Sequence, residues 1–340
     1  MPPAFAVTAP LLSVRSLCVD YEQRRAGVFG SSASTLRAVH DISFELSEGE
    51  TLGIVGETGC GKTSLGKAIL QLVPPAAGRV LWRGVDLACT DARTLMKLRS
   101  ELQIVFQDPL SALNPRMPVG EIVAEPLRVH AADMSAQERQ ATVADMFERV
   151  GLRPEMTGRY PNEFSSGQCQ RISIARAMIT GPKLLVCDEP VSALDVSIQA
   201  QICNLLRRLQ RETGIAILFI SHDLSVLRYM SHRVLVLYLG RLMEIAPRDE
   251  LFENPRHPYS RALIDAIPEA DPDRGPLDMA GGLPGEIPSA LDPPSGCVFR
   301  TRCPIATPEC ALKRPPRENV SASHRVACHH WRDAHAQPRQ

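Results

Sequence analysis

A glycine-rich segment of the chain has the residue types and spacing of a phosphate-binding loop. Residues 56–63 read Gly-Glu-Thr-Gly-Cys-Gly-Lys-Thr, after the apolar run 51–55 and before residues 63–72, which have helical spacing. Glycines let backbone N–H groups turn inward on phosphates, the lysine neutralises the β and γ oxygens, and the threonine hydroxyl reaches Mg²⁺. The flanking strand and helix disfavour a glycine-rich turn that binds nothing. The predicted nucleotide contacts are Gly56, Glu57, Thr58, Gly59, Cys60, Gly61, Lys62, Thr63 and Ser64.

A second segment ends an apolar strand with two carboxylates. Residues 184–187 are apolar, and Asp188 and Glu189 follow them directly. Buried strands of a parallel sheet deliver such charges at its carboxyl edge. Asp188 would help to hold Mg²⁺, and Glu189 would polarise the attacking water. Alone, such a pair is more often a helix cap or a solvated turn. Together with the phosphate-binding loop, it predicts a hydrolytic site.

The composition is that of an electrically balanced globular chain. The 340 residues include 38 basic and 38 acidic side chains, and 44% are hydrophobic. This balance, without a basic block, counts against nucleic acid as a partner. Residues 1–12 carry no secretory signal pattern, and the apolar runs at 215–220 and 234–239 fall far below the ~18 residues that predict a membrane span. We expect the chain to stay inside the cell and to reach a membrane only through a partner.

The chemistry-bearing segments require strands and helices to position them. Residues 12–21 have a strand pattern, and the apolar alternation over 39–46, after the polar stretch 22–35, indicates an antiparallel β edge. Apolar runs that alternate with helical segments indicate a mainly parallel sheet covered on both faces. The fold class is thus predicted as α/β, with an N-terminal antiparallel β subdomain. Further buried strands are predicted at 102–106, 184–187, 215–220 and 234–238.

Two stretches depart from this alternation. Residues 109–165 show helical patterns, at 119–129 and 137–150, without a convincing strand, which predicts a helical insert. From Pro268 to Pro338 lie twelve of the 28 prolines, so regular structure is expected to give way to loops. We therefore predict a nucleotide-binding domain at 1–265, which contains the insert, and a proline- and cysteine-rich C-terminal extension at 266–340.

Residues 164–171, Phe-Ser-Ser-Gly-Gln-Cys-Gln-Arg, resemble the signature motif of the ABC ATPases. The resemblance implies a P-loop NTPase that binds and hydrolyses ATP with Mg²⁺, in which two subunits meet head to tail. The signature of one subunit then caps the γ-phosphate held by the phosphate-binding loop of the other. Ser166 stands where the family usually has glycine, so we expect a working or weakened signature. The matching residues are Ser165, Ser166, Gly167 and Gln168.

Further positions match the catalytic residues of this family one by one. Gln107 resembles the Q-loop glutamine, which senses Mg²⁺ and the membrane partner. His222 resembles the switch histidine, which contacts the γ-phosphate and positions water with Glu189, whereas a lone histidine after a strand is more often structural. The resemblance thus implies Mg²⁺ binding through Thr63, Gln107 and Asp188, and catalysis by Lys62, Glu189 and His222.

Two other features resemble family elements around the nucleotide. Tyr21 resembles the aromatic residue that stacks on adenine, although a tyrosine in a strand is equally often an ordinary packing residue. The segment after the acidic pair resembles the D-loop, with residues Ser192, Ala193, Leu194 and Asp195.

Four segments resemble the oligopeptide and dipeptide permease ATPases and together extend over nearly the whole chain. They are residues 106–116, 190–201, 254–263 and 293–304. The resemblance implies a peripheral subunit at the cytoplasmic face of the inner membrane that powers peptide uptake. Implied partners are a second, related but different ATPase subunit, two transmembrane permease subunits and, indirectly, an extracytoplasmic peptide-binding protein. Relatives carry nickel or glutathione instead, so the cargo stays open.

The C-terminal extension holds a group of cysteines with wide spacing. Intervals of five, six and seventeen residues separate Cys297, Cys303, Cys310 and Cys328. Structural zinc more commonly uses tighter pairs, whereas four widely spaced thiolates also suit a [4Fe–4S] cluster, which the family resemblance favours. Four thiols without a metal are a third interpretation. His329 and His330 are alternative ligands.

Two other functions compete with the transport motor. A soluble ABC protein that acts on DNA or ribosomes usually carries paired cassettes or long coiled coils, and this chain has one cassette and balanced charge. A mainly regulatory subunit, with most turnover supplied by its partner, is supported only by Ser166.

Overall fold

A computed structural model describes residues 10–27, 30–267 and 285–332. The described chain divides into two compact units. The first takes its residues from 10–13, 45–51 and 81–221, and the second takes its residues from 14–44, 52–80 and 222–332. Each unit combines strands and helices, as the predicted α/β class requires.

The α-helices are short to medium in length. Among the described residues, none is both long enough and apolar enough to cross a membrane. In chain order they are α1 (Lys62–Ile69), α2 (Ala92–Leu98), α3 (Pro109–Ala112), α4 (Val119–His130), α5 (Ala136–Arg149), α6 (Ser166–Met178), α7 (Val196–Thr213), α8 (Leu224–Met230), α9 (Arg248–Glu253), α10 (Pro258–Asp265) and α11 (Pro308–Leu312).

The strands range from two residues to seventeen. In chain order they are β1 (Leu12–Gly27), β2 (Gly30–Leu46), β3 (Thr51–Val55), β4 (Ala77–Trp82), β5 (Val85–Asp86), β6 (Leu102–Val105), β7 (Leu184–Asp188), β8 (Ala216–Ile220), β9 (Arg233–Tyr238), β10 (Arg241–Pro247), β11 (Glu318–Asn319) and β12 (Arg325–Val326). Short 3₁₀ turns lie at Leu87–Cys89, Pro154–Gly158 and Pro161–Glu163.

The first unit contains the parallel strands predicted from its apolar runs. β7 pairs in parallel with β6 on one side and with β8 on the other. Every residue of β7 and β8 is buried, as expected for strands covered on both faces. β6 ends at Val105, one residue earlier than predicted, because Phe106 is already exposed. The sheet therefore presents the ends of β6 and β7 at one edge.

The helical pattern of residues 109–165 is confirmed by α3, α4 and α5, and this fully described stretch contains no strand. α5 begins with a capping box in which the Ser135 hydroxyl accepts from the Glu138 N–H and the Glu138 carboxylate accepts from the Ser135 N–H. Such reciprocal bonds satisfy two donors that a helix start otherwise leaves unpaired. α4 packs against both α5 and α6.

The second unit positions the glycine-rich loop between β3 and α1. β3 pairs in parallel with β9, and β9 pairs antiparallel with β10. All five residues of β3 are buried. The parallel strand–loop–helix unit predicted from the sequence is thus confirmed.

The N-terminal antiparallel sheet is also present, but its strands are longer than predicted. β1 lies between β2 and β4. The polar stretch 22–35, which was expected to separate two strands, instead contributes residues to β1 and β2. Ladder hydrogen bonds use backbone groups, so a polar sequence can continue a strand that its apolar neighbours have started.

The C-terminal extension contributes to the second unit's sheet, which the density of prolines did not predict. β12 pairs antiparallel with β10, and β11 pairs with β12. A small apolar cluster supports this edge and consists of Val326, Cys328 and Trp331, with Val320 packed against it. Long-range pairing of two-residue strands leaves no periodicity in the sequence, so local patterns do not reveal it.

Candidate active site

The residues predicted to act on a nucleotide are divided between the two units. In the second unit, the Lys62 ammonium donates to the carbonyl of Gly56 at 2.7 Å and to that of Glu57 at 3.2 Å. Lys62 is 5% exposed and is the first residue of α1. Its side chain therefore folds back across the loop, where a phosphate bound by the loop's N–H groups would meet it.

Two positions of this loop require glycine, because backbone atoms of other segments approach them closely. A Cβ on Gly56 would lie 2.1 Å from the Leu237 carbonyl oxygen. A Cβ on Gly61, whose φ is +101°, would lie 2.2 Å from the Ala38 carbonyl oxygen. By contrast, Gly59 has a φ of +79° and open space around it. The loop is thus packed tightly at both ends and open in the middle.

The thiol of Cys60 is a buried part of the loop. Cys60 is 4% exposed, and its carbonyl accepts from the Gly240 N–H at 2.8 Å. Burial raises the pKa of this thiol to about 11, although the nearby Lys62 charge acts in the opposite direction. The thiol is therefore protonated at neutral pH and acts as a packing group.

Glu57 is held by residues that the sequence analysis did not identify. Its N–H donates to the Tyr259 hydroxyl at 3.1 Å, and its carboxylate accepts two hydrogen bonds from Arg302. Burial raises the pKa of Tyr259, so that its hydroxyl stays neutral. The local signal for these contacts is a carboxylate inside the glycine-rich loop. Its partners cannot be read from spacing.

The structure places Tyr21 near the loop. Its hydroxyl donates to the Ser64 hydroxyl at 3.2 Å, next to Thr63. This contact is compatible with an aromatic face beside the nucleotide, and the adenine contact remains a prediction. His222, in the same unit, is exposed and directly precedes Asp223, which caps α8.

The acidic pair in the first unit lies where the sequence predicts it. Asp188 is 5% exposed at the end of β7. Glu189 follows with a φ of +47°, and its N–H donates to the Ile220 carbonyl of β8 at 3.0 Å. Non-glycine residues in this left-handed region are strained and occur often at functional sites. The backbone turns at Glu189, so its carboxylate leaves the buried strand.

The predicted Q-loop residue meets the predicted base. The Gln107 side-chain amide donates to Oε2 of Glu189 at 3.1 Å. The D-loop also touches this residue, because the Ser192 hydroxyl donates to the Glu189 carbonyl at 3.1 Å. The remaining D-loop residues, Ala193, Leu194 and Asp195, lead into α7.

The signature-like segment forms the start of α6. Ser165 caps the helix and forms reciprocal bonds with Gln168, a capping box that the Ser-x-x-Gln spacing signals. Ser165 and Ser166 are exposed, whereas Gly167 is buried. A Cβ on Gly167 would lie 2.7 Å from Cγ2 of Ile198. Gly167 therefore allows close packing of α6 against α7.

Three of the four C-terminal cysteines are buried and Cys303 is half-buried. Burial raises the pKa of Cys303 to about 11 and that of Cys328 to about 12, and the other three cysteines of the group add to the rise at Cys328. Within the described residues, no group of three or more His, Cys, Asp or Glu side chains is arranged to hold a single metal ion. The two histidines are engaged elsewhere, His330 with Thr307 at 2.8 Å and His329 with the Lys313 carbonyl at 3.1 Å.

Two family models match parts of the chain. A model described as ABC transporter matches residues 39–192. A model described as the C-terminal region of oligopeptide/dipeptide transporters matches residues 243–310. The first match includes the glycine-rich loop, the signature-like segment and the acidic pair.

Curated relatives match the chain almost from end to end. The oligopeptide transport ATP-binding proteins OppF of Salmonella typhimurium (strain LT2) and Escherichia coli (strain K12) are each 52% identical over 319 residues, which is 94% of this chain and 95% of theirs. A putative oligopeptide transport ATP-binding protein of Bacillus subtilis, YkfD, is 45% identical over 325 residues, which is 96% of this chain and 97% of its own.

Solved structures share the fold. The dimeric structure of MJ0796, a bacterial ABC transporter cassette, matches with a TM-score of 0.62 and 27% identity, over 70% of this chain and 98% of that one. CbiO1 of Clostridium perfringens matches with a TM-score of 0.60 and 27% identity, over 72% of this chain and 91% of its own. The chain therefore belongs to the ABC transporter ATP-binding proteins, in the family that includes the OppF subunits.

Proposed function

We propose that this chain is the ATP-hydrolysing subunit that powers import of oligopeptides or dipeptides through a separate permease. The observation that carries the proposal is the match to OppF proteins over 94% of the chain at 52% identity. The match of residues 243–310 to the oligopeptide/dipeptide transporter C-terminal region adds a peptide-specific feature that an unrelated cassette would lack. It favours the transport motor over a soluble ABC protein.

Hydrolysis requires that charge on the transferring phosphoryl group be stabilised and that water be positioned. In the proposed mechanism, Lys62 neutralises the β and γ oxygens of the nucleotide. Thr63, Gln107 and Asp188 would hold a Mg²⁺ ion, which would supply further positive charge to the phosphates. Glu189 accepts the proton of the attacking water, and His222 orients that water. The Gln107–Glu189 hydrogen bond supports this assignment, because it fixes the direction of the carboxylate before water arrives.

We propose that ATP joins this chain to a second ATPase subunit, so that the signature of each caps the nucleotide of the other. The related cassette MJ0796 is dimeric. The exposure of Ser165 and Ser166 at the start of α6 supports a contact with a partner's nucleotide. At the cytoplasmic face of the inner membrane, closure of the ATPase pair would drive a conformational change in two transmembrane permease subunits. An extracytoplasmic binding protein would deliver the peptide to these permease subunits.

The C-terminal cysteines are proposed to hold a [4Fe–4S] cluster within an extension that begins near residue 266. The Cys297 N–H donates to the Cys310 carbonyl at 2.8 Å, which supports the proposal that these two cysteines lie in one region. Among the described residues, no group of three or more His, Cys, Asp or Glu side chains is arranged to hold a metal ion, so zinc and metal-free thiols stay as the alternatives. Bound, such a cluster would cross-link a segment that has little regular structure of its own. Analysis of iron and sulfide in anaerobically purified protein tests this assignment.

The proposed function is tested by co-expressing the chain with the permease and partner ATPase genes that neighbour its own. ATP hydrolysis and uptake of labelled peptide are measured in proteoliposomes, for the wild type and for Glu189→Gln. Hydrolysis stimulated by peptide and its binding protein, and lost with Glu189→Gln, supports the importer motor. Hydrolysis that is indifferent to the permease contradicts it. If the transporter still hydrolyses ATP when only this subunit carries Glu189→Gln, the result points to a mainly regulatory role for this subunit.

A further inference from the structure

We propose that Arg302 is a positioning residue for the phosphate-binding loop, which it holds through a partly buried ion pair with Glu57. The inference rests on the proposed function, because it concerns the affinity of the loop for MgATP. It assigns to the C-terminal extension a direct part in nucleotide binding.

The ion pair has the geometry of a fixed clamp. Arg302 Nη1 lies 2.7 Å from Glu57 Oε2, and Nη2 lies 3.0 Å from Oε1. The side chains are 5% and 20% exposed, respectively. Two parallel N–H···O bonds fix orientation as well as distance, which a lysine in the same place could not do. Glu57 is the second residue of the loop, so the clamp acts where the chain leaves β3.

The remaining polar groups of Glu57 transmit this constraint to the lysine of the loop. The Glu57 N–H donates to the Tyr259 hydroxyl at 3.1 Å, and its carbonyl accepts from Lys62 Nζ at 3.2 Å. The carboxylate and the N–H are thus both tied to residues outside the loop. If Glu57 shifted, one of the acceptors that position the Lys62 ammonium would shift with it.

Arg302 is itself anchored in an aromatic cluster. Its Nη1 donates to the Tyr238 hydroxyl at 3.4 Å, and its guanidinium lies 5.9 Å from the centre of that ring. The Phe299 ring packs edge-on against the Tyr238 ring, with ring centres 5.3 Å apart, and lies tilted against the Tyr259 ring, with ring centres 5.2 Å apart. All three rings are fully buried. The guanidinium therefore packs against buried aromatic rings while it bonds to Glu57.

The backbone of Arg302 belongs to a turn that begins at Cys297 and ends at Cys303. Within it, the Arg300 N–H donates to the Cys297 carbonyl at 3.1 Å, and the Arg302 N–H donates to the Phe299 carbonyl at 3.0 Å. Cys303 follows directly. The conformation of this cysteine-bounded turn thus determines where the guanidinium lies, and through Glu57 it determines the shape of the loop.

The test compares dissociation constants for MgATP, measured on the purified full chain with a fluorescent ATP analogue and by competition with ATP. The variants are Arg302→Met, Arg302→Lys, Glu57→Gln and the double variant Glu57→Gln/Arg302→Met. Arg300→Met is the matched control, because Arg300 lies in the same turn and its side chain donates to the Ser295 carbonyl at 3.0 Å. Thermal unfolding is recorded for every protein, since loss of a buried partner also lowers stability.

We expect Arg302→Met and Glu57→Gln each to weaken MgATP binding by about tenfold, and Arg302→Lys to be intermediate. The double variant should bind no more weakly than the worse single variant, because both remove one interaction. Arg300→Met should bind like the wild type. A purely structural role would lower the unfolding temperature and leave the dissociation constant of the folded protein unchanged.

Unchanged affinity in folded Arg302→Met, or additive losses in the double variant, would overturn the inference. If Arg302→Met does not fold, the MgATP affinities of Glu57→Gln and Arg302→Lys decide the question. Wild-type affinity in both of these variants would overturn the inference. Lys62→Ala is included to show that binding is measured at the loop. Failure of the wild type itself to bind MgATP would instead overturn the proposed function.

Discussion

Gln107 donates its side-chain amide to Glu189 across the ends of β6 and β7, at 3.1 Å. The two residues are 82 positions apart, and parallel pairing of their strands brings them together. Glu189 also has a backbone φ of +47°, a conformation that costs energy for a side chain of its size. The amide therefore holds a carboxylate whose backbone has already turned it away from the core.

This contact predicts a kinetic phenotype for Gln107→Ala. Removal of the amide frees the Glu189 carboxylate to rotate, so we expect kcat for ATP to fall about tenfold while KM stays within about threefold. Combined with Glu189→Gln, the substitution should cause no further loss. Gln103→Ala is the control, because Gln103 lies on β6, which precedes Gln107, and its side-chain amide donates to the Arg99 carbonyl at 2.6 Å. A fall in KM and kcat together would contradict a positioning role.

The two glycines of the loop with positive φ are predicted to differ in their tolerance of a side chain. Gly59→Ala meets no atom within 4 Å and incurs only the backbone strain, about 1–2 kcal/mol. Gly61→Ala adds a clash with the Ala38 carbonyl at 2.2 Å. We expect Gly59→Ala to retain measurable MgATP binding and Gly61→Ala to lose it. Equal affinities in an equilibrium titration would show that the Ala38 contact is unimportant.

The packing of α6 on α7 predicts a rescue experiment. Gly167→Val pushes a side chain into Ile198 and should destabilise the protein by about 1–3 kcal/mol in urea unfolding. Ile198→Ala creates room, so the double variant should recover part of the loss. Ser166→Val, at the exposed neighbouring position, should cost much less. Additive destabilisation in the double variant would mean that the two residues do not interact.

A buried histidine predicts acid sensitivity. His257 is 2% exposed, its Nδ1 accepts from the Tyr259 N–H at 3.0 Å, and burial lowers its pKa to about 4. Below pH 6.5 the unfolded chain therefore binds a proton that the folded chain does not, so stability falls as the pH drops from 6.5 towards 4. Between pH 7.5 and 5.5 this residue should account for a loss of about 1.4 kcal/mol.

His257→Asn isolates that contribution. Asparagine also caps helices through a side-chain oxygen but carries no titrating group. The variant's free energy of unfolding should therefore depend less on pH than that of the wild type, whatever its stability at pH 7.5. His40, whose pKa burial also lowers to about 4, remains in both proteins and cancels in the comparison. An identical slope in the two proteins would refute the prediction.

The sequence predicted the features that follow from local patterns. Consecutive apolar residues identify β3 and β7, and fixed spacing in the loop identifies Lys62 and Thr63, because these signals lie within a few residues of each other. The partner of Glu57 could not be found in this way. Arg302 lies 245 positions away, and its relevance depends on a fold that brings the C-terminal extension to the loop.

The strand lengths illustrate a second limit. The sequence pattern ended the first predicted strand at position 21, before the polar stretch 22–35, because hydrophobic alternation is the main signal for a strand. In the structure, β1 extends to Gly27 and β2 begins at Gly30, and the backbone pairing of strands is indifferent to side-chain polarity. Likewise, β12 has two residues and joins β10 without any pattern of its own.

The buried Cys60 has a consequence for oxidative chemistry. Peroxides and electrophiles attack the thiolate, and a pKa of about 11 leaves only about one molecule in 10⁴ ionised at neutral pH. Cys60 is also packed against Gly56, where an added Cβ would lie 2.6 Å from its sulfur. The loop proposed to bind the nucleotide is therefore protected from sulfenylation and alkylation, although it contains a cysteine. ATP turnover should survive oxidants that modify more exposed thiols such as Cys89.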